Sequence, residues 1–172
     1  MGRVVSRDEL KKIVEREKAA EKKIVFTNGC FDLIHVGYVR YLEEAKQKGD
    51  LLIVAVNSDR SVRELKGAGR PIVPEEERAE ILSAFASVDY VVIFSEGTPA
   101  EIIGVLKPDI LVKGGDYGKE EIVGREIVES GGGEVIPVSL VKGHSTKGLL
   151  ERIRKIERQG TKWQRHKGTK ER

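Results

Sequence analysis

Short apolar segments alternate five times with helix-like segments along this chain, and this alternation restricts the fold more than any other feature. The apolar segments are KIVFTN, LLIVAVNSD, YVVIF, ILVKGGDYG and EVIPV. Each is followed by a segment with helical spacing or helix caps. Strands that alternate with helices form parallel sheets with right-handed crossovers. The sequence therefore predicts an α/β fold: one Rossmann-like, open, five-stranded parallel sheet with helices on both faces.

Caps and glycines predict where the helices begin and end. A leading helix is predicted within residues 1–21, where Ser6 and Glu9 form a capping box ahead of an apolar stripe that starts at Leu10. After YVVIF, Thr98 is expected as the cap and Pro99 as the first helical residue. One continuous helix is predicted through KEEIVGREIVES, and the last helix is expected to be capped by Ser145.

Length and composition narrow the class of protein. A chain of 172 residues suggests one domain with a sizeable core, which we place at residues 1–157, followed by a basic, disordered tail at 158–172. Its N-terminus is charged and no apolar run reaches 18 residues, so we expect a cytoplasmic protein with no membrane partner. One cysteine excludes an internal disulfide and a cysteine zinc site. A net charge of +3 is too mild to suggest a nucleic-acid partner.

Polar residues follow four of the predicted strands, at the ends where ligands bind in such sheets. They lie in residues 27–35, 57–70, 113–117 and 143–146. The glycine turns among them let backbone N–H groups approach phosphate oxygens, and helix N-termini add a favourable dipole. We therefore expect these four segments to line one crevice that binds a polyanion.

Two common nucleotide motifs are missing from the sequence. No G-x-x-x-x-G-K-[ST] occurs, which disfavours a P-loop kinase. No G-x-G-x-x-G follows the first strand, which disfavours a dinucleotide-dependent oxidoreductase. Any nucleotide binding by this chain must therefore use another motif.

The segment TNGCFDLIHVGY resembles the signature of the cytidylyltransferase-like, small-molecule nucleotidyltransferases, whose core is a His-x-Gly-His box. The segments NSDRSVRELKGAGRPIVPEEERAEIL, VDYVVIF, KPDILVKGGDY and GHSTKGLLERI extend the resemblance over residues 22–153. The chain is most similar to the branch that makes ADP-heptose from heptose 1-phosphate for lipopolysaccharide core synthesis. LVKGGDY favours this branch over the enzymes acting on glycerol 3-phosphate or FMN. Some members are fused to a sugar kinase domain; this chain has no room for one, and a stand-alone form is expected.

The resemblance implies transfer of AMP from ATP to the phosphate of a sugar 1-phosphate, with pyrophosphate as the second product. Attack is in line and without a covalent enzyme intermediate, so the protein mainly positions groups and stabilises charge. Magnesium is implied, held chiefly by phosphate oxygens, and no protein residue is assigned as a metal ligand. A homodimer is suggested by the family alone.

The resemblance also assigns roles to individual residues. Those assigned to catalysis are His35, Lys66 and Asp116. Those assigned to the nucleotide and its phosphates are Thr27, Asn28, Gly29, Cys30, Phe31, Tyr38, Asn57, Asp59, Arg78, Lys113, Gly114, Ser145 and Thr146. Those assigned to the sugar-phosphate side are Asp32, Arg70, Gly115 and Tyr117.

Position 38 departs from the family's box, because Tyr38 stands where the family has its second histidine. A phenol donates one hydrogen bond but stays neutral near pH 7 and brings no positive charge. Loss of one transition-state donor costs a factor of about 10²–10³ in rate. We therefore expect reduced turnover, and a weakly active or non-catalytic nucleotide-binding module is the alternative.

Several of these residues also have a purely structural interpretation. Asp32 and Asp59 each precede a predicted helix and can cap it. Arg78 can pair with Glu75 on the same helix. Cys30 has no assignable catalytic partner and is interpreted as a half-buried turn residue rather than a nucleophile.

Overall fold

The computed structural model describes residues 1–115, 118–139 and 143–160. Its strands form one sheet in the order β1-β4-β3-β2-β5-β6, and every neighbouring pair is parallel. The strands are β1 (Arg3–Val4), β2 (Ile24–Gly29), β3 (Leu51–Asn57), β4 (Tyr90–Phe94), β5 (Ile110–Gly114) and β6 (Glu134–Val138). The α/β class, the parallel direction and all five predicted strands are confirmed.

The predicted number of strands is one too low. β1 covers two exposed residues and pairs with Tyr90 and Val91 of β4 at the edge of the sheet. Two residues are too few to show the alternation of apolar and polar side chains that marks a strand. Gly2 permits the docking, since a Cβ there would lie 2.5 Å from the carbonyl oxygen of Val88.

The helices follow the predicted order with local differences. They are α1 (Arg7–Ala19), α2 (Val36–Lys46), α3 (Asp59–Lys66), α4 (Glu75–Ser83), α5 (Ala100–Leu106), α6 (Arg125–Ser130) and α7 (Thr146–Gly160). Ser6 caps α1, accepting from the Glu9 N–H at 3.2 Å, and Ser145 caps α7, accepting from the Gly148 N–H at 3.0 Å. Both predicted caps are confirmed. The α7 helix passes the predicted domain end at residue 157, and residues 161–172 lie outside the described part.

The helix predicted through KEEIVGREIVES is interrupted. A short 3-10 helix (Lys119–Glu121) comes first, and α6 begins only after Gly124. Gly124 has a φ of +92°, a left-handed conformation that side chains disfavour. α5 also begins one residue later than predicted, so that Pro99 occupies the cap position.

The core has two layers, one on each face of the sheet. Alternate residues of β2 point to opposite faces: Ile24 and Phe26 pack in one layer and Val25 in the other. The first layer includes residues of α1, α5 and α6, and the second includes residues of α2 and α4. Because β3 is covered on both faces, its sequence is almost continuously apolar. The apolar stripe of α1 is therefore part of the core.

Candidate active site

A crevice opens at the carboxyl end of the sheet, where the strand order reverses. The chain proceeds outward from β2 to β3 and β4, then returns to place β5 on the other side of β2. β2 pairs with β3 at six positions but with β5 only at Val25–Ile110 and Phe26–Leu111. The ends of β2 and β5 therefore separate, and ligands of open α/β sheets bind at such a switch point.

Tyr41 of α2 forms the floor of this crevice. Its hydroxyl lies 2.6 Å from Thr27 Oγ1 and donates to the carbonyl oxygen of Val112 at 3.2 Å, which links β2 to β5. Burial raises the pKa of Tyr41, so the phenol stays protonated and can donate. Thr27 is fully buried. Its predicted contact with the nucleotide stays a prediction; in the structure the Thr27 hydroxyl is hydrogen-bonded to Tyr41.

Two adjoining cavities make up the crevice. The first, the strand cavity, has a volume of about 560 Å³ and lies over the ends of β2, β3 and β5. The second, the histidine cavity, has a volume of about 450 Å³ and lies at the starts of α2 and α7. The strand cavity is lined by Asn28, Gly29, Phe31, Tyr41, Asn57, Leu65, Gly97, Thr98, Pro99, Lys113, Gly114 and Val123, and the histidine cavity by Asp32, His35, Arg70, His144, Ser145, Thr146, Lys147 and Leu150. Cys30, Tyr38 and Lys66 line both, so the two are continuous.

His35 stands at the start of α2, and its ring lies over Gly37. A Cβ at Gly37 would lie 2.8 Å from His35 Nδ1 and 3.4 Å from the Cβ of His144, which explains the glycine of the His-x-Gly motif. Nδ1 is buried and has no hydrogen-bond partner among the described residues. Burial, and secondly the charge of His144, lower the pKa of His35. Its imidazole is therefore neutral near pH 7 and suited to donating a hydrogen bond rather than supplying charge.

Tyr38 holds the His35 ring in place. The two rings stack with centroids 4.3 Å apart and planes inclined by 18°, and the Phe31 ring lies 5.1 Å from that of Tyr38. Burial raises the pKa of Tyr38, partly offset by the Thr146 hydroxyl. Tyr38 is thus a neutral side chain that orients an imidazole and also faces both cavities.

The turn between β2 and α2 has an uncommon backbone at Phe31, whose φ is +46°. The buried Phe31 ring folds against Gly29, where a Cβ would lie 3.1 Å from the ring. Cys30 between them is half-buried, and burial raises the pKa of its thiol although cationic side chains lie nearby. A protonated thiol agrees with the interpretation of Cys30 as a turn residue.

Arg78 joins three segments of the crevice wall. Its side chain is fully buried and donates to the carbonyl oxygens of Cys30, Asn57 and Val73 and to the Asp59 carboxylate at 2.8 Å. The predicted contact of Arg78 with phosphate stays a prediction, and in the structure most of the Arg78 N–H donors bind protein oxygens. Glu75, its expected partner, instead accepts from the backbone N–H of Asp59. Asp59 is held by Arg78 rather than facing a ligand.

Asp32 holds the loop that follows α3. It is 2% exposed, and its carboxylate accepts from Arg70 Nε at 2.5 Å and from the backbone N–H groups of Ile72 and Val73 at 2.8 and 2.9 Å. Asp32 does not cap α2, because His35 occupies the cap position of that helix. Asp59 does not cap α3, whose cap is Ser58. The assignment of Asp32 to the sugar-phosphate side stays a prediction; in the structure its carboxylate holds Arg70 in position.

Two lysines remain beside the strand cavity. Lys113 Nζ donates to the carbonyl and side-chain oxygens of Asn28, both at 3.3 Å, and burial lowers the pKa of Lys113. Lys66, in the last turn of α3, lines both cavities. Asn57 is 4% exposed and donates to Ser61 Oγ at 3.1 Å. Of Lys113, Asn57 and Lys66, only Lys66 lines both cavities. It is therefore the best placed of the three to contact a ligand at their junction.

The structure brings most of the predicted site residues to one crevice. Those that line it are Asn28, Gly29, Cys30, Phe31, Asp32, His35, Tyr38, Asn57, Lys66, Arg70, Lys113, Gly114, Ser145 and Thr146. Gly115 follows directly with a φ of +137°, and its N–H donates to the carbonyl oxygen of Val138 at 3.0 Å. Asp116 and Tyr117 lie outside the described residues, so their predicted roles stay predictions.

Sequence reasoning missed several lining residues. The apolar ones, Leu65, Pro99, Val123 and Leu150, carry no sequence signal, because only the fold brings them to the cavities. His144 and Lys147 flank the Ser-Thr pair that the sequence did single out. A histidine directly before the cap of a helix, in a predicted phosphate-binding loop, was a signal that could have been used.

Neither a metal cluster nor a membrane helix occurs in the described residues. Within 1–115, 118–139 and 143–160, no three His, Cys, Asp or Glu side chains lie together in a metal-binding arrangement. The helices in these ranges are too short or too polar to cross a bilayer.

Comparison with known proteins defines the class. The model of the cytidylyltransferase-like family matches residues 26–132. The chain therefore belongs to the cytidylyltransferase-like family. The fold is also shared with the pantothenate synthetase of Thermus thermophilus, with a TM-score of 0.57 over 92% of this chain and 76% of the other at 17% identity.

Other relatives have a higher sequence identity to this chain. The "Bifunctional protein HldE" of Pelobacter propionicus is 57% identical over 88% of this chain, and that of Koribacter versatilis is 56% identical over 88%. The chain spans 31% of the length of each of these relatives. A solved structure described as a lipopolysaccharide core biosynthesis protein from Thermoplasma volcanium superimposes with a TM-score of 0.59 at 29% identity, covering 72% of this chain and 99% of the other.

Proposed function

We propose that this chain transfers AMP from ATP to heptose 1-phosphate, which gives ADP-heptose and pyrophosphate for lipopolysaccharide core synthesis. One observation carries the proposal: His35, Lys66, Arg70, Ser145 and Thr146, from three separate segments, line one cavity that is continuous with the strand-order switch point. The name of the relatives and the description of the Thermoplasma structure support the heptose branch.

The shapes and linings of the cavities suggest how the substrates lie. The strand cavity presents Phe31, Leu65 and Pro99 beside polar backbone, which suits a nucleoside. The histidine cavity presents an imidazole, cations and the N-terminus of α7, which suits phosphates. The α-phosphate of ATP would then lie at the junction, near Lys66.

The reaction needs no group on the protein to form a covalent bond. An oxygen of the sugar phosphate attacks the α-phosphorus of ATP, a new P–O bond forms, and the bond from the α-phosphorus to the oxygen bridging to the β-phosphate breaks. The electron pair of that bond leaves with pyrophosphate. His35 donates to the leaving phosphates and Lys66 offsets charge at the α-phosphate, while Ser145 and Thr146 hold the β- and γ-phosphates through hydroxyl and helix N–H groups.

Magnesium is expected to arrive with ATP. Asp32 and Asp59, the acidic residues predicted for the site that the structure describes, are held by Arg70 and Arg78. They therefore do not fit as metal ligands, and the ion would be bound by phosphate oxygens and water. No step above depends on a metal held by the protein.

Release of pyrophosphate tests the proposal directly. The protein would be incubated with ATP and magnesium and with heptose 1-phosphate, glycerol 3-phosphate or FMN in turn. We expect release with heptose 1-phosphate and with neither of the others. Replacement of ATP by CTP is expected to lower the rate, and a preference for glycerol 3-phosphate or FMN would contradict the proposal.

A nucleotide-binding module without catalysis is the second candidate, since Tyr38 brings no positive charge. ATP binding without pyrophosphate release from any of the three acceptors would favour it. The predicted homodimer is a separate question, which sedimentation of the purified protein would answer.

A further inference from the structure

The histidine cavity holds fewer usable cations than its lining suggests. Arg70 is paired with the buried Asp32 carboxylate. His35 is neutral near pH 7 because it is buried. Tyr38, which stands where the family has its second histidine, is neutral as well. The charge on a leaving pyrophosphate would therefore be met at the rim, where the exposed side chains of Lys66, His144 and Lys147 line the cavity.

His144 is placed to meet that charge. It lines the same cavity as His35 and Tyr38 and directly precedes the Ser145–Thr146 start of α7. Its Cβ and the His35 ring lie on Gly37 together, at 3.4 and 2.8 Å from where a Cβ of Gly37 would be. The His35 ring and the Cβ of His144 thus flank the same glycine.

The electrostatics of the pair are consistent with an anion between them. The charge of His144 contributes to the lowered pKa of His35, so the two rings are near enough to repel each other when protonated. His144 is exposed, whereas His35 is half-buried. An anion bound between the two rings would relieve this repulsion.

We propose that His144 is the second imidazole of this phosphate site, binding the β- and γ-phosphates of ATP in place of the histidine that position 38 lacks. His35 donates a hydrogen bond from the buried side, and the His144 imidazole donates a second one from the solvent side. The deficit expected from Tyr38 is then compensated by a residue more than a hundred positions later in the chain. The identity of the leaving group rests on the proposed function; the anion site itself does not.

The test is a set of variants in which one imidazole is removed and another restored. His144→Asn keeps a polar side chain but removes the imidazole, and we expect kcat/KM for pyrophosphate release to fall by about 10- to 100-fold. Tyr38→His alone is the reference with which the double variant is compared. The double variant Tyr38→His/His144→Asn is expected to regain most of the loss. The control is Lys155→Ala. Lys155 lies in α7, the helix that follows His144, and lines neither cavity.

Two results would overturn the inference. One is an unchanged kcat/KM in His144→Asn, and the other is a double variant no better than His144→Asn. Because His144 is exposed in a loop, its variants should have the same melting temperature as the wild type, which circular dichroism would measure.

Binding of inorganic pyrophosphate with magnesium separates this inference from the proposed function. If the wild type releases no pyrophosphate with any acceptor, the proposed function fails. Calorimetry of pyrophosphate binding then tests the role of His144 separately from catalysis. An affinity at least about tenfold weaker in His144→Asn than in the wild type supports the anion site, and an equal affinity overturns it.

Discussion

The two sides of the crevice both carry polar side chains, but these side chains have different partners. On one side Asp32, Asp59, Arg70 and Arg78, the ion-pair wall, satisfy one another and nearby backbone groups. On the other side His35, Tyr38, His144 and Ser145 with Thr146, the histidine wall, face the cavity.

The difference teaches that charge near a site is not a sign of ligand contact. Buried charges are kept where they are paired and hydrogen-bonded, and removing one partner leaves the other uncompensated. Half-exposed polar groups carry no such cost. We therefore expect changes in the ion-pair wall to lower stability as well as activity, and changes in the histidine wall to lower activity alone.

The largest expected effect is on stability, in Arg78→Met. The change removes a fully buried cation that joins Cys30, Asn57, Val73 and Asp59. We expect the free energy of unfolding to fall by about 3–5 kcal/mol, since the Asp59 charge and three carbonyl groups lose a partner. Urea denaturation followed by circular dichroism measures it.

Arg60→Met is the matched control for that variant. Arg60 is 73% exposed and pairs with Glu64 at 3.5 Å on the surface of α3. Exposed pairs contribute little, so the free energy of unfolding should change by less than about 0.5 kcal/mol. Similar losses in both variants would contradict the division into two walls.

The largest effect expected from the histidine wall is on catalysis. In His35→Ala, kcat for pyrophosphate release should fall by a factor of about 10²–10³, because a donor to the leaving phosphates is lost. The urea midpoint should stay near that of the wild type, since Nδ1 makes no hydrogen bond in the described residues. A large loss of stability here would assign His35 a structural role.

Asp32→Asn should have an intermediate effect. The amide keeps the shape of the side chain but loses the charge that binds Arg70 Nε and two backbone N–H groups. We expect a loss of about 1.5–3 kcal/mol in stability and a higher KM for the substrates, since the loop that carries Arg70 is released. Unchanged KM with lowered stability would show that Arg70 does not reach a ligand.

The smallest effect is a pH dependence that belongs to His35. Its pKa is lower in the folded protein than in the unfolded chain, so the unfolded chain binds more protons as the pH falls below about 6.5. This contribution to stability is present above that pH and is lost as the pH falls. Urea midpoints at pH 7.5 and 5.5 should therefore differ more in the wild type than in His35→Ala, and equal differences would show that the ring is not shielded.

Much of the fold was predictable because its signals are local. The period-two and period-3.6 patterns, the caps at Ser6 and Ser145, and the polar strand ends each lie within a few consecutive residues. The predictions failed where a long-range contact decides the outcome. β1 forms because its two residues pair with β4 at the edge of the sheet. The predicted long helix is interrupted at Gly124, where the backbone packs closely against Ile103.

The sequence by itself determined the parallel α/β architecture, the end of the sheet where ligands should gather and the family signature around His35. Tertiary structure alone decided which polar residues face that crevice. Asp32 and Arg70 are 38 positions apart, and Arg78 and Cys30 are 48 apart. A side chain's function depends on which of its donors and acceptors are already used, and for these residues the partners come from distant parts of the chain.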